Sequence, residues 1–311
     1  MIIDLPDTTV SQVAKQIVRV REEGGVVALG RVLTLVISAR NGVAEAAIDA
    51  ANAASREHPM RVIVLTTGEG EARLDAQIRV GGDAGASEVV VLRAYGEAAS
   101  NEESLVTGLL LPDAPVVAWW PEEAPESAST SPLGRIAQRR ITDASTAADV
   151  RERLVELGRT HAPGDTDLAW TRLTHWREQL AAVLDQPPFE SVTAVEVRGA
   201  AASPSTAMLA AWLRLALDVP VTWSFEPAGS GHPGIRSVRL RRAGGDIVLE
   251  RPDDDVALLT QPGQPEHELH PPRRSLRECL AEELRRLDPD VLYGRVITEG
   301  FERLEPAENL R

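Results

Sequence analysis

Val26-Val-Ala-Leu-Gly-Arg-Val-Leu-Thr-Leu-Val-Ile-Ser38 is dense in valine, leucine and isoleucine and alternates too little for a strand with one wet face. Such a run reads as a strand buried on both faces, the kind found in a sheet covered by helices. Its flanks agree. Upstream, Asp7 to Glu23 carries Val10, Val13, Ile17 and Val20 at helical spacing and stops at Gly24-Gly25. Downstream, Asn41-Gly42 breaks the chain and the alanine-rich Val43–Ser55 follows as a helix. Met60–Thr67, Leu74–Gly81, Glu88–Tyr95 and Pro115–Trp120 are further apolar strand candidates, and Ser100-Asn-Glu-Glu103 matches a capping box. Strands alternating with helices predict an α/β fold.

The chain as a whole divides at Ala162-Pro-Gly-Asp165 into two mixed α/β domains, 1–163 and 164–311. Before that boundary lie an acidic Pro/Ser-rich loop (121–132), a basic island from Arg135 to Arg140 and a helix over Thr146–His161. After it, Asp167-Leu-Ala-Trp-Thr-Arg-Leu-Thr-His-Trp-Arg177 opens an amphipathic helix. At about 100° per residue, Ala169, Leu173, Trp176, Leu180 and Leu184 share one face, with Trp170 and Arg177 on one border and Arg172 on the other. Strands are predicted at Val192–Arg198, Pro220–Phe225, Ile235–Arg242, Asp246–Arg251 and Val256–Thr260. Thr206–Leu217, apolar nearly all round, reads as a buried helix with Ser203 as cap and Pro204 in its first turn. Ser275-Leu-Arg-Glu278 is a second capping box, and Asp288-Pro289 starts a last helix. Both halves read helix, strand, helix, several strands, helix, which suggests a distant structural duplication; sheets of different strand order would overturn it.

The chain has 311 residues and a formal net charge of −14. Nucleic acid binding needs a concentrated cationic surface, and anionic lipid repels a protein of this sign, so neither partner is expected. Lys15 is the sole lysine, so arginine must carry any anion recognition. A lone Cys279 excludes an intrachain disulfide. No stretch reaches the ~18 apolar residues of a membrane span, and the N-terminus lacks a signal-peptide pattern; a cytoplasmic address is expected.

Catalytic signatures are scarce. No Gly-x-Gly-x-x-Gly follows a strand, and neither a phosphate-loop motif nor a Gly-x-Ser-x-Gly elbow occurs. His267-Glu-Leu-His270 and Asp253–Asp255 read as a solvated loop and a charged turn, and His175 as a surface histidine. No cofactor, metal or catalytic residue is assigned. One anion site is conceivable at Gly199, Ser203, Ser205 and Thr206, where a strand meets a helix N-terminus, with Gly229–Gly234 near the same edge; a plain capped helix is the competing reading. Trp119-Trp120 ends a strand, so one ring should enter the core while the other faces solvent, a second domain or a partner. Protein-binding anchors are therefore sought at Trp119, Trp120, Trp170, Arg172, Trp176 and Arg177, with Arg135, Arg139 and Arg140 as a second, electrostatic patch. For the tryptophans, intramolecular burial is the alternative.

Six segments together resemble one family: Gly24–Val36, His58-Pro-Met-Arg-Val-Ile-Val-Leu65, Val116-Val-Ala-Trp-Trp-Pro121, Arg135-Ile-Ala-Gln-Arg-Arg-Ile-Thr-Asp143, Asp167–Arg177 and Asp288-Pro-Asp-Val-Leu-Tyr-Gly294. The sequence is similar to the glucose-6-phosphate dehydrogenase assembly proteins (OpcA) of cyanobacteria and actinomycetes, and its arginine-for-lysine bias fits an actinomycete. One departure is His175, where the family is associated with proline. The resemblance implies a non-enzymatic protein that associates with glucose-6-phosphate dehydrogenase, promotes its active oligomer or activates it allosterically, and so supports the oxidative pentose phosphate pathway and NADPH supply. In cyanobacteria that action is linked to thioredoxin; the lone Cys279 gives this chain no intramolecular redox disulfide. A weak sugar-phosphate ligand, or a sugar-phosphate sensor or enzyme built on the Gly199–Thr206 turn, is the alternative function.

Overall fold

The computed structural model describes residues 1–23, 32–40, 43–81, 88–226, 233–253, 256–269 and 273–305. Residues 26–31 of the opening strand, the Asn41-Gly42 break, residues 229–232, Asp254-Asp255 and His270–Pro272 lie outside the described residues. In chain order the first elements are β1 (Ile2–Leu5), α1 (Val10–Glu23), β2 (Leu33–Ser38), α2 (Ala44–Ala54), β3 (Met60–Gly68), β4 (Arg73–Arg79) and β5 (Glu88–Tyr95). They continue as α3 (Glu102–Thr107), β6 (Val116–Trp119), α4 (Pro132–Arg135), β7 (Arg139–Thr142), α5 (Val150–Thr160) and β8 (Asp165–Asp167). Then come α6 (Leu168–Thr171), α7 (Thr174–Leu184), β9 (Ala194–Gly199), α8 (Pro204–Leu217), β10 (Val221–Phe225) and β11 (Ile235–Arg241). The last are β12 (Ile247–Glu250), β13 (Ala257–Thr260), β14 (His267–Leu269), α9 (Leu276–Arg285) and α10 (Val291–Arg295).

Two compact units share the chain. Unit 1 comprises Met1–Asp143, Ala162–Thr166 and Ser275–Pro289; unit 2 comprises Ala144–His161, Asp167–Arg274 and Asp290–Arg311. The units are thus interleaved along the sequence.

Unit 1 is built on an eight-stranded sheet of order β1-β4-β5-β3-β2-β6-β7-β8. Its centre is parallel, running through β5, β3, β2, β6 and β7. Numbered among themselves these five strands run 3-2-1-4-5, the doubly wound order. β4 and β1 extend one edge antiparallel. The expected continuous burial is present: Val36, Ile63, Leu65, Val90 and Leu92 pack with Val13 and Ile17 of α1 and Val106 of α3. The alternate residues Leu35, Val62 and Val64 are also fully buried. α9 packs against α2 from far along the chain, which brings Glu283 to the end of β7. The Leu74–Gly81 strand is β4, displaced by one or two residues; it alternates buried and half-exposed side chains because only β1 lies outside it.

Unit 2 has a six-stranded sheet of order β10-β9-β11-β12-β13-β14. Only β10 and β9 are parallel; the other pairs are antiparallel. The two sheets differ in order and in direction, which overturns the expected duplication. The similar succession of elements reflects a common α/β rhythm and not a repeated pairing scheme. α8 is buried, as its all-round apolar sequence requires: Ala207, Met208, Leu209, Ala210 and Ala211 are at most 5% exposed and join a core with Val195, Val197, Val238 and Leu240.

The predicted helix through Asp167–Arg177 is broken into α6 and α7. Asp167 caps α6 by accepting from the Ala169 amide at 2.9 Å. Carbonyls that a continuous helix would use inward are claimed by side chains. Thr171 O accepts from Arg274 Nη1 (2.8 Å) and Thr174 Oγ1 (3.0 Å), and Ala169 O accepts from Ser205 Oγ (2.9 Å). The apolar face survives the break: Ala169, Leu173, Trp176 and Leu180 are all buried.

Candidate functional site

The doubly wound order creates a switch point between β2 and β6, where helices depart to opposite sides and ligands commonly sit in such folds. A dinucleotide needs a glycine-rich turn there so that backbone amides approach the pyrophosphate. This chain has Ser38-Ala-Arg-Asn-Gly-Val-Ala44 instead, which does not supply that spacing. Arg40 pairs with Glu122 (3.4 Å) and Glu123 (3.1 Å), just past the end of β6. The Arg40 guanidinium at this edge is thus held by acidic side chains.

The tryptophans expected at an interface are interior. Trp119, Trp120, Trp170 and Trp176 are 0%, 4%, 1% and 7% exposed. Neither ring of the Trp119-Trp120 pair faces solvent, and Trp120 joins the core with Val116, Ala118 and Leu133. Trp170 donates from Nε1 to Asp290 Oδ2 at 2.9 Å and tilts against Tyr293, centroids 6.1 Å apart. The Arg177 guanidinium lies 3.9 Å over the Trp170 ring, which explains why the two residues border the same face.

The basic island is not a patch. Arg139 is 3% and Arg140 7% exposed. Arg139 pairs with Glu283 and donates to Asp288 O at 2.8 Å, while Arg140 pairs with Asp165 and donates to Ala137 O at 2.8 Å. Charges buried in this way are neutralised by partners that folding delivers from elsewhere in the chain. Of the island's arginines, Arg135 alone stays at the surface, where it reaches Glu103 at 3.0 Å.

The strand-to-helix turn holds the richest polar constellation. Gly199 ends β9 where backbone crowds it: a Cβ there would come within 2.7 Å of Gly234 O and 3.0 Å of Ile235 Cα. Thr206 is fully buried behind the turn, its hydroxyl directed at Ala200 O. Ser203 caps α8 in extended conformation without a side-chain cap bond. Ser203 and Ser205 line a cavity of about 340 Å³ in unit 2; Gly199 and Thr206 only support its wall. Arg172, His175, Trp176, Arg251, Arg273 and Arg274 complete much of that lining. The arginines come from three places: the α6–α7 break, the end of β12 and the adjacent pair at 273–274. Arg172 donates to Ser145 Oγ (3.3 Å), Arg274 to Thr171 O (2.8 Å) and Arg273 to Pro233 O. Arg251 is 7% exposed, with its Cζ 5.7 Å from the Trp176 ring centre. His175 Nδ1 stands 3.3 Å from Glu178 Oε2. Residue patterns point to the two serines and to Arg172 but not to Arg251, Arg273 or Arg274. The Arg273-Arg274 doublet is the one local signal; its distance in sequence from Arg172 hides the convergence.

These features define a two-sheet α/β protein with a doubly wound first sheet and an arginine-lined cavity in its second unit. The family model of the glucose-6-phosphate dehydrogenase subunit N-terminal domain matches residues 51–159, and that of the C-terminal domain of the same subunit matches residues 163–297. The chain belongs to this family, the OpcA proteins of glucose-6-phosphate dehydrogenase assembly. No curated protein matches it. Among solved structures, an oxidoreductase from Sinorhizobium meliloti is similar at 10% identity and a TM-score of 0.46, over 87% of this chain and 94% of that one. Levoglucosan dehydrogenase in complex with NADH and L-sorbose is similar at 9% identity and a TM-score of 0.44, over 86% and 90%. An oxidoreductase from Thermotoga maritima shares 12% identity over 90% and 98%, with a TM-score of 0.43.

Proposed function

We propose that this protein is a non-catalytic partner of glucose-6-phosphate dehydrogenase that stabilises the enzyme's active oligomer or activates it allosterically. It would act in the cytoplasm and support the oxidative pentose phosphate pathway. The observation that carries this reading is the match of two successive family models, together spanning most of the chain, to a glucose-6-phosphate dehydrogenase subunit. A binder activates only through its preference for the active form, about 1–3 kcal/mol for ordinary coupling.

Burial narrows the contact residues. Trp119, Trp120, Trp170 and Trp176 would have to be uncovered before touching another protein, and Arg139 and Arg140 are spent on buried pairs. The exposed Arg135 and the half-buried Arg172 and Arg177 are the better contacts, with the tryptophans holding them in place. A net charge of −14 would favour a complementary basic surface on the enzyme.

The test is a titration of purified dehydrogenase with this protein, reading KM, kcat and oligomer size. Co-elution with a shift in oligomer size or a change in KM or kcat supports the proposal. Unchanged kinetics together with separate elution removes it.

A further inference from the structure

The chain has six tryptophans, two tyrosines and three phenylalanines, all of them in described segments. Ten are buried or half-buried, and Phe189 alone is exposed, at 69%. It lies just past α7, in Gln186-Pro-Pro-Phe-Glu190. Leu184 and Val192, on either side of this stretch, both pack on the unit 2 core, so its ends are tied down while its middle stays at the surface. The Phe189 amide donates to Gln186 O at 3.3 Å and closes a turn over the two prolines, whose rings fix their own φ. Glu190 accepts at 2.8 Å from the Gly244 amide in the β11–β12 turn. Gly245 of that turn lies against Pro262, where an added Cβ would come within 2.7 Å of the proline ring. Three turns are thus linked at one end of the unit 2 sheet, and Pro187, Pro188, Ala243 and Pro262, all exposed, belong to them. The loops at this end are described throughout; residues 227–232, 254–255 and 270–272, outside the described residues, follow the opposite ends of β10, β12 and β14.

Phe189 also has a φ of 54°, in the left-handed region. A bulky side chain is unfavourable there, whereas glycine or asparagine would adopt that conformation readily. One residue therefore carries two features that work against folding, a strained backbone and an apolar ring left in water. Single exposed apolar residues are common on protein surfaces. What sets Phe189 apart is the combination of strain with a support that holds the turn in one conformation. A ring presented in a fixed direction loses little conformational entropy on docking, which is what an interface anchor requires. Asp185 and Glu190 flank it in sequence and the chain carries a net charge of −14, so an apolar pocket with a basic rim is the complementary surface.

We infer that Phe189 is the apolar anchor through which unit 2 docks on glucose-6-phosphate dehydrogenase, its ring entering such a pocket on the enzyme. The inference rests on the reading of this protein as a partner of that enzyme, and the stretch lies within the residues matched by the C-terminal domain of the dehydrogenase subunit family. Phe189 takes the role that burial denies to Trp119, Trp120, Trp170 and Trp176.

The experiment measures the affinity of the purified full chain for purified glucose-6-phosphate dehydrogenase by surface plasmon resonance, with Phe189→Ala, Phe189→Asn and Phe189→Leu beside the wild type. Alanine and asparagine should each weaken binding by about thirtyfold or more, the loss of a central aromatic anchor. Leucine, which keeps much of the apolar surface, should cost less than about tenfold. Circular dichroism should be unchanged, and the asparagine variant should melt at or above the wild-type temperature, because asparagine tolerates the left-handed backbone. Val155→Ala, on α5 at a residue 64% exposed, is the control and should bind as wild type does. Affinities of the folded alanine and asparagine variants within about threefold of wild type would overturn the inference and leave the association standing. Equal weakening by Val155→Ala would also overturn it. So would sedimentation showing a dimer of this chain that Phe189→Ala dissolves, since the ring would then serve a second copy. Absence of wild-type binding would remove both the inference and the reading beneath it.

Discussion

Trp170→Ala separates the structural from the recognition role of the tryptophan helix. The ring is 1% exposed, sits under the Arg177 guanidinium at 3.9 Å and donates to Asp290 at 2.9 Å. Truncating a buried tryptophan costs about 3–5 kcal/mol in transfer and cavity terms. The cation–π contact is worth about 0.5–2 kcal/mol, and the hydrogen bond to a carboxylate about 1.5–3 kcal/mol. Neighbouring contributions do not add fully, and Asp290 is half-exposed and regains water. The expected loss is therefore about 4–6 kcal/mol for unit 2. Trp170→Phe keeps the aromatic surface but loses the donor, so about 1–3 kcal/mol is expected. Urea unfolding followed by circular dichroism and tryptophan fluorescence measures both. A loss below about 1 kcal/mol for the alanine variant would refute the buried role. If stability falls while affinity for the dehydrogenase in the folded variant is unchanged, Trp170 is a support and not a contact.

Further outcomes can be measured elsewhere in the molecule. Glu283→Ala strands the buried Arg139 and should cost about 3–5 kcal/mol, whereas Arg139→Met with Glu283→Leu should be near neutral or stabilising; thermal melts of the two variants decide it. Glu88, 1% exposed, accepts from Arg21 at 2.9 Å and Arg61 at 2.7 Å, so Glu88→Gln should lower unit 1 stability by about 3 kcal/mol in a denaturant titration. Gly199→Ala drives a Cβ against backbone of Gly234 and Ile235 and should cost about 1–3 kcal/mol, read by chemical unfolding. Burial raises the Glu102 carboxyl above its ordinary range. A raised carboxylate favours folding below its unfolded value and opposes it once pH rises through the folded one. Glu102→Gln should therefore raise the melting temperature at neutral pH, with the gain vanishing as pH falls below the ordinary carboxylate range of ~4.3.

Local chemistry is legible in the residues themselves. The apolar density of Leu33–Ser38, Met60–Thr67 and Glu88–Tyr95 announces a sheet covered on both faces, because only such strands can dispense with alternation. The Ser275–Glu278 capping box forms as written, with the Ser275 amide donating to Glu278 at 2.7 Å. The buried face of Ala169, Leu173, Trp176 and Leu180 follows from spacing alone. What spacing does not supply is the partner of each polar group. Arg139 and Arg140 read as a surface island because Glu283 and Asp165 lie 144 and 25 residues away. The break between α6 and α7 depends on Arg274 and Ser205 reaching back for carbonyls.

The sequence by itself determined the α/β class, the buried strands and the Ser275–Glu278 capping box, since these depend on period and neighbours a few positions apart; the expected Ser100–Glu103 box does not form, because Asn101 caps α3 by accepting from the Ser104 amide at 3.0 Å. Tertiary structure decided the 3-2-1-4-5 order, the difference between the two sheets and which cations are neutralised. It also drew Arg172, Arg251, Arg273 and Arg274 into one cavity. Strand order and charge pairing are settled by contacts between distant segments, whose closure entropy and register leave little trace in any local stretch of residues.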